Sequence, residues 1–259
     1  MILYGRNPVR EALRGRRAHT VEEVWASAGA AREPWLAGVD VRAATGEEIE
    51  RRCGSAAHQG MCARAGAYPY ADAAQLLARE RPLIVALDQV QDPQNLGSIC
   101  RTAECAGASG VVIPERRAAE VTPAVCKASA GAVEHLPLAR VRNLADFLAH
   151  ARDAGCWCYG ASAGAEHAPG DARAQRAQGG RARERAPVPY DTPDYAGSGV
   201  VLVLGSEGGG LRPRVAGACD ELVALPLLGR IESLGVSAAA AALLYEILQQ
   251  RSAGVDKVP

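Results

Sequence analysis

The sequence lacks the features that mark a membrane-spanning or a disulfide-bonded secreted protein. No apolar run approaches the roughly 20 residues that a transmembrane helix needs, and no signal-peptide pattern opens the chain. Eight cysteines are present, but none forms a Cys-x-x-Cys pair. Cys156 and Cys158 are close enough to share a strand face, yet packing as small hydrophobic groups is favoured over metal binding. We therefore expect a reduced, cytoplasmic protein without a metal site.

The chain also lacks net charge, because 29 Lys and Arg balance 29 Asp and Glu. A nucleic-acid partner must therefore be argued from local basic clusters. The first 17 residues hold one acid, Glu11, and these arginines: Arg6, Arg10, Arg14, Arg16 and Arg17. Asn7-Pro8 predicts a helix start, which would align Arg10, Arg14 and Arg17 along one stripe. By spacing alone, a solvated helix face is favoured over RNA contact.

The order of apolar runs predicts two α/β units. Residues 1–66 alternate strand and helix patterns, including a strand at 21–26, a helix start at Thr45 and a strand at 58–63. Residues 67–82 are interpreted as a linker outside both cores. A stronger α/β series occupies 83–259, and strand–helix alternation of this kind predicts a mostly parallel sheet with helices on both faces. Its strands are predicted at 83–87, 110–113, 135–139, 156–159, 200–204 and 221–225, and its helices at 96–105, 125–130, 144–154 and 236–250.

Residues 163–193 interrupt this series. They are rich in Gly, Ala, Arg, Gln and Pro and contain almost no large apolar side chains. Such a composition cannot bury enough surface to offset its ordering entropy. We expect a disordered insertion here, either an inert linker or an RNA contact.

Polar or glycine-rich stretches follow three of the predicted strands, where ligands of open α/β sheets bind. In the first, 88–103, Asn95 can cap the following helix and Gly97 allows close helix packing. Arg101 could hold an anion, and a surface ion pair is about equally favoured.

The second stretch, 205–211, combines four glycines with Glu207. A carboxylate would repel phosphate, and neither the Lys-Ser/Thr of a P-loop nor a GxGxxG pattern is present. A cationic ligand, or one recognised by backbone amides, fits better, although a tight turn without a ligand remains an alternative. In the third, 225–237, Ser233 and Ser237 could cap the alanine-rich helix that follows.

Together the three stretches resemble the SpoU, or TrmH-like, branch of the SPOUT RNA methyltransferases. The resemblance rests on Asn95-Leu-Gly-Ser-Ile-Cys-Arg101, Leu204-Gly-Ser-Glu-Gly-Gly-Gly-Leu211, Leu225-Pro-Leu and Ser233-Leu-Gly-Val-Ser237. The N-terminal unit is similar to the ribosomal-L30e-like, substrate-binding domain of the RlmB-type 23S rRNA guanosine 2′-O-methyltransferases. That likeness rests on 4–13, Val21-Glu-Glu-Val-Trp25 and His58-Gln-Gly60.

The resemblance implies an α/β domain with a deep trefoil knot, a homodimer, and S-adenosylmethionine bound within the knot. Gly205, Leu225 and Leu234 would line the cofactor, with Leu204 and Ser206 nearby. Arg101 would be the main catalytic residue, and the resemblance leaves open whether it acts across the dimer interface. The remaining catalytic candidates are Asn95, Glu207 and Ser233.

The implied reaction is methyl transfer to the ribose 2′-hydroxyl of a guanosine in 23S rRNA, with Arg10, Arg14 and Arg17 contacting RNA. One departure is Gly235, because the family usually has Asn at this position. Other readings are a tRNA 2′-O-methyltransferase, an RNA-binding or ribosome-assembly module with impaired catalysis, and a nucleotide-dependent dehydrogenase, which the missing glycine fingerprint disfavours.

Overall fold

The computed structural model describes residues 1–162, 186–206, 208–231 and 233–255, and contains two sheets. The smaller sheet has the order β1-β4-β2-β3, with β4 antiparallel to β1 and β2, and β3 parallel to β2. Its strands are β1 Ile2–Tyr4, β2 Val21–Ala26, β3 Val41–Ala43 and β4 Met61–Ala65. Helix α2, Gly46–Cys53, begins as predicted, because Thr45 and Glu48 form a reciprocal capping box.

Helix α1, Arg6–Ala12, differs from the prediction at both ends. Its N-cap is Gly5 rather than Asn7, and Pro8 lies within the first turn, where no N–H is needed. The helix ends before Arg14 and Arg17, so the three arginines do not form the predicted stripe.

The larger sheet has seven strands in the order β7-β6-β5-β10-β8-β11-β9. All of its pairings are parallel, which confirms the predicted sheet type. Its first four strands are β5 Leu83–Leu87, β6 Gly110–Pro114, β7 Leu138–Val141 and β8 Cys156–Ser162. The others are β9 Val188–Pro189, β10 Gly199–Leu204 and β11 Glu221–Ala224.

Helices cover both faces of this sheet, as predicted. Alternate residues of β5 enter opposite cores: Leu83, Val85 and Leu87 join one, and Ile84 and Ala86 join the other. Helices α4 (Pro93–Cys105) and α8 (Val236–Val255) contribute to the first core. Helices α3 (Ala73–Leu77), α6 (Leu144–Asp153) and α7 (Pro213–Ala216) contribute to the second. No helix in the described ranges is long and apolar enough to span a membrane.

Gly97 allows α4 to pack closely on α5 (Pro123–Ala128), as the sequence predicted. A Cβ at Gly97 would press on the Cβ of Ala128 and lie 2.9 Å from the backbone nitrogen of Ser129. The N-cap of α4 is Asp92, whose side chain accepts a hydrogen bond from Gln94 N, and not Asn95. The helix begins earlier than predicted because Pro93 suits its first position.

Part of residues 67–82 packs into the cores, and the predicted linker is wrong in this respect. Tyr68 and Leu76 are buried. The Tyr68 hydroxyl donates to the carbonyl of Val133 at 2.9 Å, a partner 65 residues away. A buried tyrosine hydroxyl needs a hydrogen-bond partner. The partner of Tyr68 is distant in sequence, so the Tyr-Pro-Tyr pattern gave no sign of this burial.

The predicted insertion at 163–193 is too long at its C-terminal end. Strand β9, Val188–Pro189, pairs with β11 at the edge of the sheet. Tyr195 follows, buried, and its hydroxyl donates to Tyr190 O at 2.6 Å. A two-residue strand has no periodicity to detect, so composition alone was misleading here. Residues 163–185 lie outside the described residues.

A buried ion pair joins the two sheets. Arg17 Nη2 lies 2.5 Å from Glu134 Oε1, and Arg17 Nε donates to Glu134 Oε2 at 2.7 Å. The two side chains are 1% and 0% exposed. The backbone at Gly15 also lies close to the backbone at Glu134, since a Cβ at Gly15 would be 2.5 Å from Glu134 O. Arg17 is therefore a docking residue, and the expectation that it contacts RNA is wrong because its guanidinium is enclosed.

We expect Glu134→Gln to destabilise the protein by about 3–5 kcal/mol, because it leaves the Arg17 charge buried without a counterion. Urea unfolding measures this change. The control is Asp146→Asn, which removes the exposed partner of Arg214 and should cost less than about 1 kcal/mol. Equal, small effects of the two variants would contradict the role given to the buried pair.

Candidate active site

A cavity of about 300 Å³ lies at the carboxyl edge of the larger sheet. The ends of β8 and β10, the segment after β11 and the start of α8 enclose it. Its lining includes all five predicted cofactor residues and one predicted catalytic residue: Leu204, Gly205, Ser206, Leu225, Leu234 and Ser233. Stretches that are separate in sequence therefore meet because parallel strands end at the same edge.

The glycine loop closes on itself after β10. Ser206 N donates to Gly210 O at 3.1 Å, and Gly210 N donates to Ser206 O at 3.0 Å. A Cβ at Gly205 would press on the carbonyl group of Gly210 and lie 2.5 Å from Leu211 N. Gly205 is thus required by backbone crowding. Glu207, the acid of this loop, lies outside the described residues.

An ion pair that the sequence analysis missed anchors the end of the loop. Asp88 follows β5 directly and its side chain is 0% exposed. Its carboxylate accepts from Arg212 N at 2.9 Å and from Arg212 Nε at 2.7 Å. The backbone of Asp88 also donates to Leu204 O, the last residue of β10. The available signal was an acid placed immediately after a wholly apolar strand.

The third stretch forms a loop in front of α8. The Ser233 hydroxyl accepts a hydrogen bond from Gly235 N at 3.2 Å. The prediction that Ser237 caps the helix is wrong, since α8 already begins at Val236. Gly235 has a φ of +77°, and a Cβ there would meet nothing within 4 Å. Left-handed backbone of this kind suits both Gly and Asn, so the Asn that the resemblance leads us to expect here could adopt the same conformation.

The chemistry of the cavity is uncharged among the described residues. Leu204, Leu225 and Leu234 supply apolar surface, and Ser206 and Ser233 supply hydroxyls. Among the described parts of the chain, no lining residue is cationic, so the enclosure favours a neutral or cationic ligand with apolar parts over a phosphate.

Asn95 and Arg101 are not among the residues that line the cavity. Asn95 is half-buried in the first turn of α4, and Arg101 is exposed on the same helix. Within a single chain, the structure therefore gathers the predicted cofactor residues and Ser233 but leaves these two catalytic candidates outside.

The predicted RNA-binding arginines have different surroundings. Arg14 is exposed, Arg10 pairs with Glu11 at 2.6 Å, and Arg17 is enclosed by Glu134.

The cysteines are free thiols, and most of them are buried. All eight are free, and burial raises the pKa of the six buried thiols, for example to about 11 at Cys62 and about 12 at Cys219. Cys156 and Cys158 pack in the core, in agreement with the favoured interpretation. No group of three or more His, Cys, Asp or Glu within the described ranges is arranged to hold a metal ion.

Comparison with known proteins identifies the family. Residues 82–245 match the model of the SpoU rRNA methylase family. The chain belongs to this family. Residues 2–71 match the model for RNA 2′-O ribose methyltransferase substrate binding. This second match covers the smaller sheet, and the match over 82–245 covers the larger one.

Individual relatives agree with this membership. A TrmH family tRNA/rRNA methyltransferase of Staphylococcus haemolyticus is 32% identical over 97% of this chain and 96% of its own length. The TrmH family tRNA/rRNA methyltransferase YacO of Bacillus subtilis is 39% identical over 75% of this chain and 72% of its own. The AdoMet-bound rRNA methyltransferase of Sinorhizobium meliloti has a similar structure, with a TM-score of 0.73, 26% identity and coverage of 96% of this chain and 86% of that one.

We expect Gly205→Ala to destabilise the protein by about 1–3 kcal/mol, because the new methyl group overlaps backbone that cannot move aside easily. Denaturant unfolding measures the loss. Gly208→Ala is a matched control in the same loop, since a Cβ there would meet nothing within 4 Å. If both variants unfold like the parent protein, the crowding at Gly205 does not constrain the loop.

Proposed function

We propose that this protein transfers a methyl group from S-adenosylmethionine to the ribose 2′-hydroxyl of a guanosine in 23S rRNA. The observation that carries the proposal is the cavity where the stretches 205–211 and 225–237 of a SpoU-family chain meet the end of β8. The substrate-binding match over residues 2–71 supports the ribose hydroxyl as the acceptor. The AdoMet bound by the Sinorhizobium meliloti relative supports the choice of methyl donor.

The cavity fits this cofactor chemically. The leucines can enclose the apolar parts of the nucleoside, and the backbone groups around Gly205 and Leu225 can pair with its polar edges. A sulfonium is positively charged, and no cationic side chain among the described lining residues opposes it. When bound, S-adenosylmethionine supplies a methyl group on a sulfonium, which is already a strong electrophile. The protein must therefore mainly orient the acceptor and assist the loss of its proton.

Arg101 assists the acceptor by electrostatics. A guanidinium stays protonated at neutral pH, so it is a poor general base. It can instead hold an RNA phosphate and stabilise the forming alkoxide. Asn95, Glu207 and Ser233 shape the acceptor position in the same proposal.

A homodimer brings Arg101 to the active site. Its exposed position outside the cavity of its own chain supports action on the cavity of a second copy. Large apolar side chains of the segment before α8 and of α8 itself are also exposed, namely Leu228, Ile231, Leu234 and Tyr245. Apolar surface of this kind supports burial against another chain.

The trefoil knot expected of the family is part of the proposal. Two features support it. Strand β10 lies between β5 and β8, and the last helix, α8, packs against α4, the first helix after β5. In the N-terminal domain, Arg14 and Arg10 are the remaining candidates for RNA contact.

The identity of the RNA is tested directly. Two relatives are named tRNA/rRNA methyltransferases, so tRNA is the alternative substrate. The protein is incubated with labelled S-adenosylmethionine and with unmodified transcripts of 23S rRNA or tRNA. Label on a guanosine ribose of 23S rRNA supports the proposal. Label on tRNA alone overturns the substrate, and RNA binding without transfer indicates the impaired module suggested by Gly235.

We expect Arg101→Ala to abolish methyl transfer while leaving the affinity for S-adenosylmethionine within about twofold, because the guanidinium acts on the acceptor. Calorimetry and single-turnover transfer measure the two quantities. Glu104→Ala, at an exposed position of the same helix, is the control and should retain activity. A large loss of cofactor affinity in Arg101→Ala would refute this division of roles.

We expect Asp88→Asn to weaken S-adenosylmethionine binding, because a neutral amide holds Arg212 and the loop less firmly. The loss of charge-assisted hydrogen bonds should also cost about 1–3 kcal/mol of stability. Asp220→Asn is the matched control, since Asp220 accepts from the backbone of Cys158 at 2.8 Å, away from the cavity. It should lower stability without lowering cofactor affinity; parallel losses of affinity in both variants would contradict the anchoring role.

A further inference from the structure

Four arginines lie in or directly after β6 and β7, near two hollows at the carboxyl edge of the larger sheet. Arg116 and Arg117 follow β6, Arg140 lies in β7, and Arg142 follows it. The first hollow has a volume of about 450 Å³ and is lined by Glu115, Arg116 and Arg142. It continues into a second hollow of about 510 Å³ that Arg140 and Arg142 also line. We call these four arginines the basic rim.

Three members of the basic rim carry uncompensated charge. Arg116, Arg117 and Arg142 are exposed, and within the described residues none of them forms an ion pair. Glu115 is exposed and lines both hollows, so one negative charge stands against these three positive charges. The basic rim therefore presents an excess of positive charge to solvent.

The side chain of Arg140 is held by contacts with two neighbouring residues. It pairs with Glu120 at 3.1 Å and lies 5.2 Å from the centre of the Tyr70 ring. Its Nε is buried, and it has no hydrogen-bond partner within the described structure. This atom is closed to solvent, so Arg140 contributes positive charge beside the hollows and not this N–H.

Asp72 and Asp146 line the second hollow together with Glu115. Asp72 caps α3 by accepting from Ala74 N at 2.9 Å, and Asp146 pairs with Arg214 at 3.3 Å. His150 also lines this hollow, and as an imidazole it does not repel an anion. The excess of positive charge therefore lies at the first hollow, which two arginines and one acid line.

The position of the basic rim relates it to the cavity. Both lie at the carboxyl edge of the parallel sheet. In the order β7-β6-β5-β10, β6 and β7 are two and three strands from β10. At about 4.8 Å per strand, the basic rim lies roughly 10–15 Å from the glycine loop. An RNA strand with one nucleotide at the cavity can reach this distance with its neighbouring phosphates.

We propose that the basic rim binds the phosphate backbone of the substrate RNA next to the nucleotide that is methylated. This inference rests on the proposed function. It gives the catalytic domain its own RNA contacts, in addition to those of the N-terminal domain. Phosphate contacts of this kind provide affinity and position without reading the sequence.

The test compares the parent protein with the triple variant Arg116→Gln, Arg117→Gln, Arg142→Gln. All three positions are exposed, so the fold should survive, which urea unfolding checks. Binding of a 23S rRNA transcript is measured by fluorescence anisotropy across a range of salt concentrations. We expect the slope of log affinity against log salt to decrease by about one for each arginine removed. The affinity for S-adenosylmethionine should not change.

A single-site comparison provides the matched control. Arg142→Gln should reduce the slope by about one, and Arg79→Gln should not, because exposed Arg79 lies near the opposite edge, before β5. An unchanged slope in the triple variant overturns the inference. If millimolar inorganic phosphate displaces the labelled transcript as well as unlabelled RNA does, the basic rim is a small-anion site and the inference is also overturned. If the parent protein binds RNA through the basic rim but transfers no methyl group, the inference stands and the proposed function fails.

Discussion

The buried carboxylate of Asp88 is the interaction on which the candidate site depends. It lies at the end of β5 and holds both the backbone and the side chain of Arg212, at the far end of the glycine loop. The loop is thereby attached to the strand beside β10 as well as to β10 itself. Since Gly205 and Ser206 lie within the segment so fixed, the shape of the cavity follows from one ion pair and from the crowding of the backbone around Gly205.

A charge pair that is buried on both sides fixes the relation between the two sheets. Arg17 and Glu134 are almost fully enclosed. Each would lose its counterion if the sheets separated. The segment around Glu134 also leads to β7, which carries the basic rim. The surfaces of the N-terminal domain and of the basic rim for which RNA contact is proposed are therefore held in a fixed relation, which suits a structured substrate better than a single strand.

Much of the larger sheet could be predicted from sequence because its strands are buried on both faces and read as unbroken apolar runs. The meeting of the glycine loop with Leu225 and Ser233 followed from the same logic, since each comes after such a strand. Arg17 could not be distinguished from Arg14 in the same way. Its burial is decided by Glu134, 117 residues away, and no local pattern records that partner. Tyr68 and the two-residue strand at Val188 were missed because tertiary contacts, rather than periodicity, place them.

The burial of the cysteines has a consequence for the chemistry of a methyltransferase. A thiolate is a far better nucleophile than a ribose hydroxyl, and a thiol attacks an electrophile only after it loses its proton. Burial raises the pKa of six of the eight thiols, so at neutral pH these sulfurs stay protonated. A protein that holds an alkylating cofactor is thus protected from alkylating its own core.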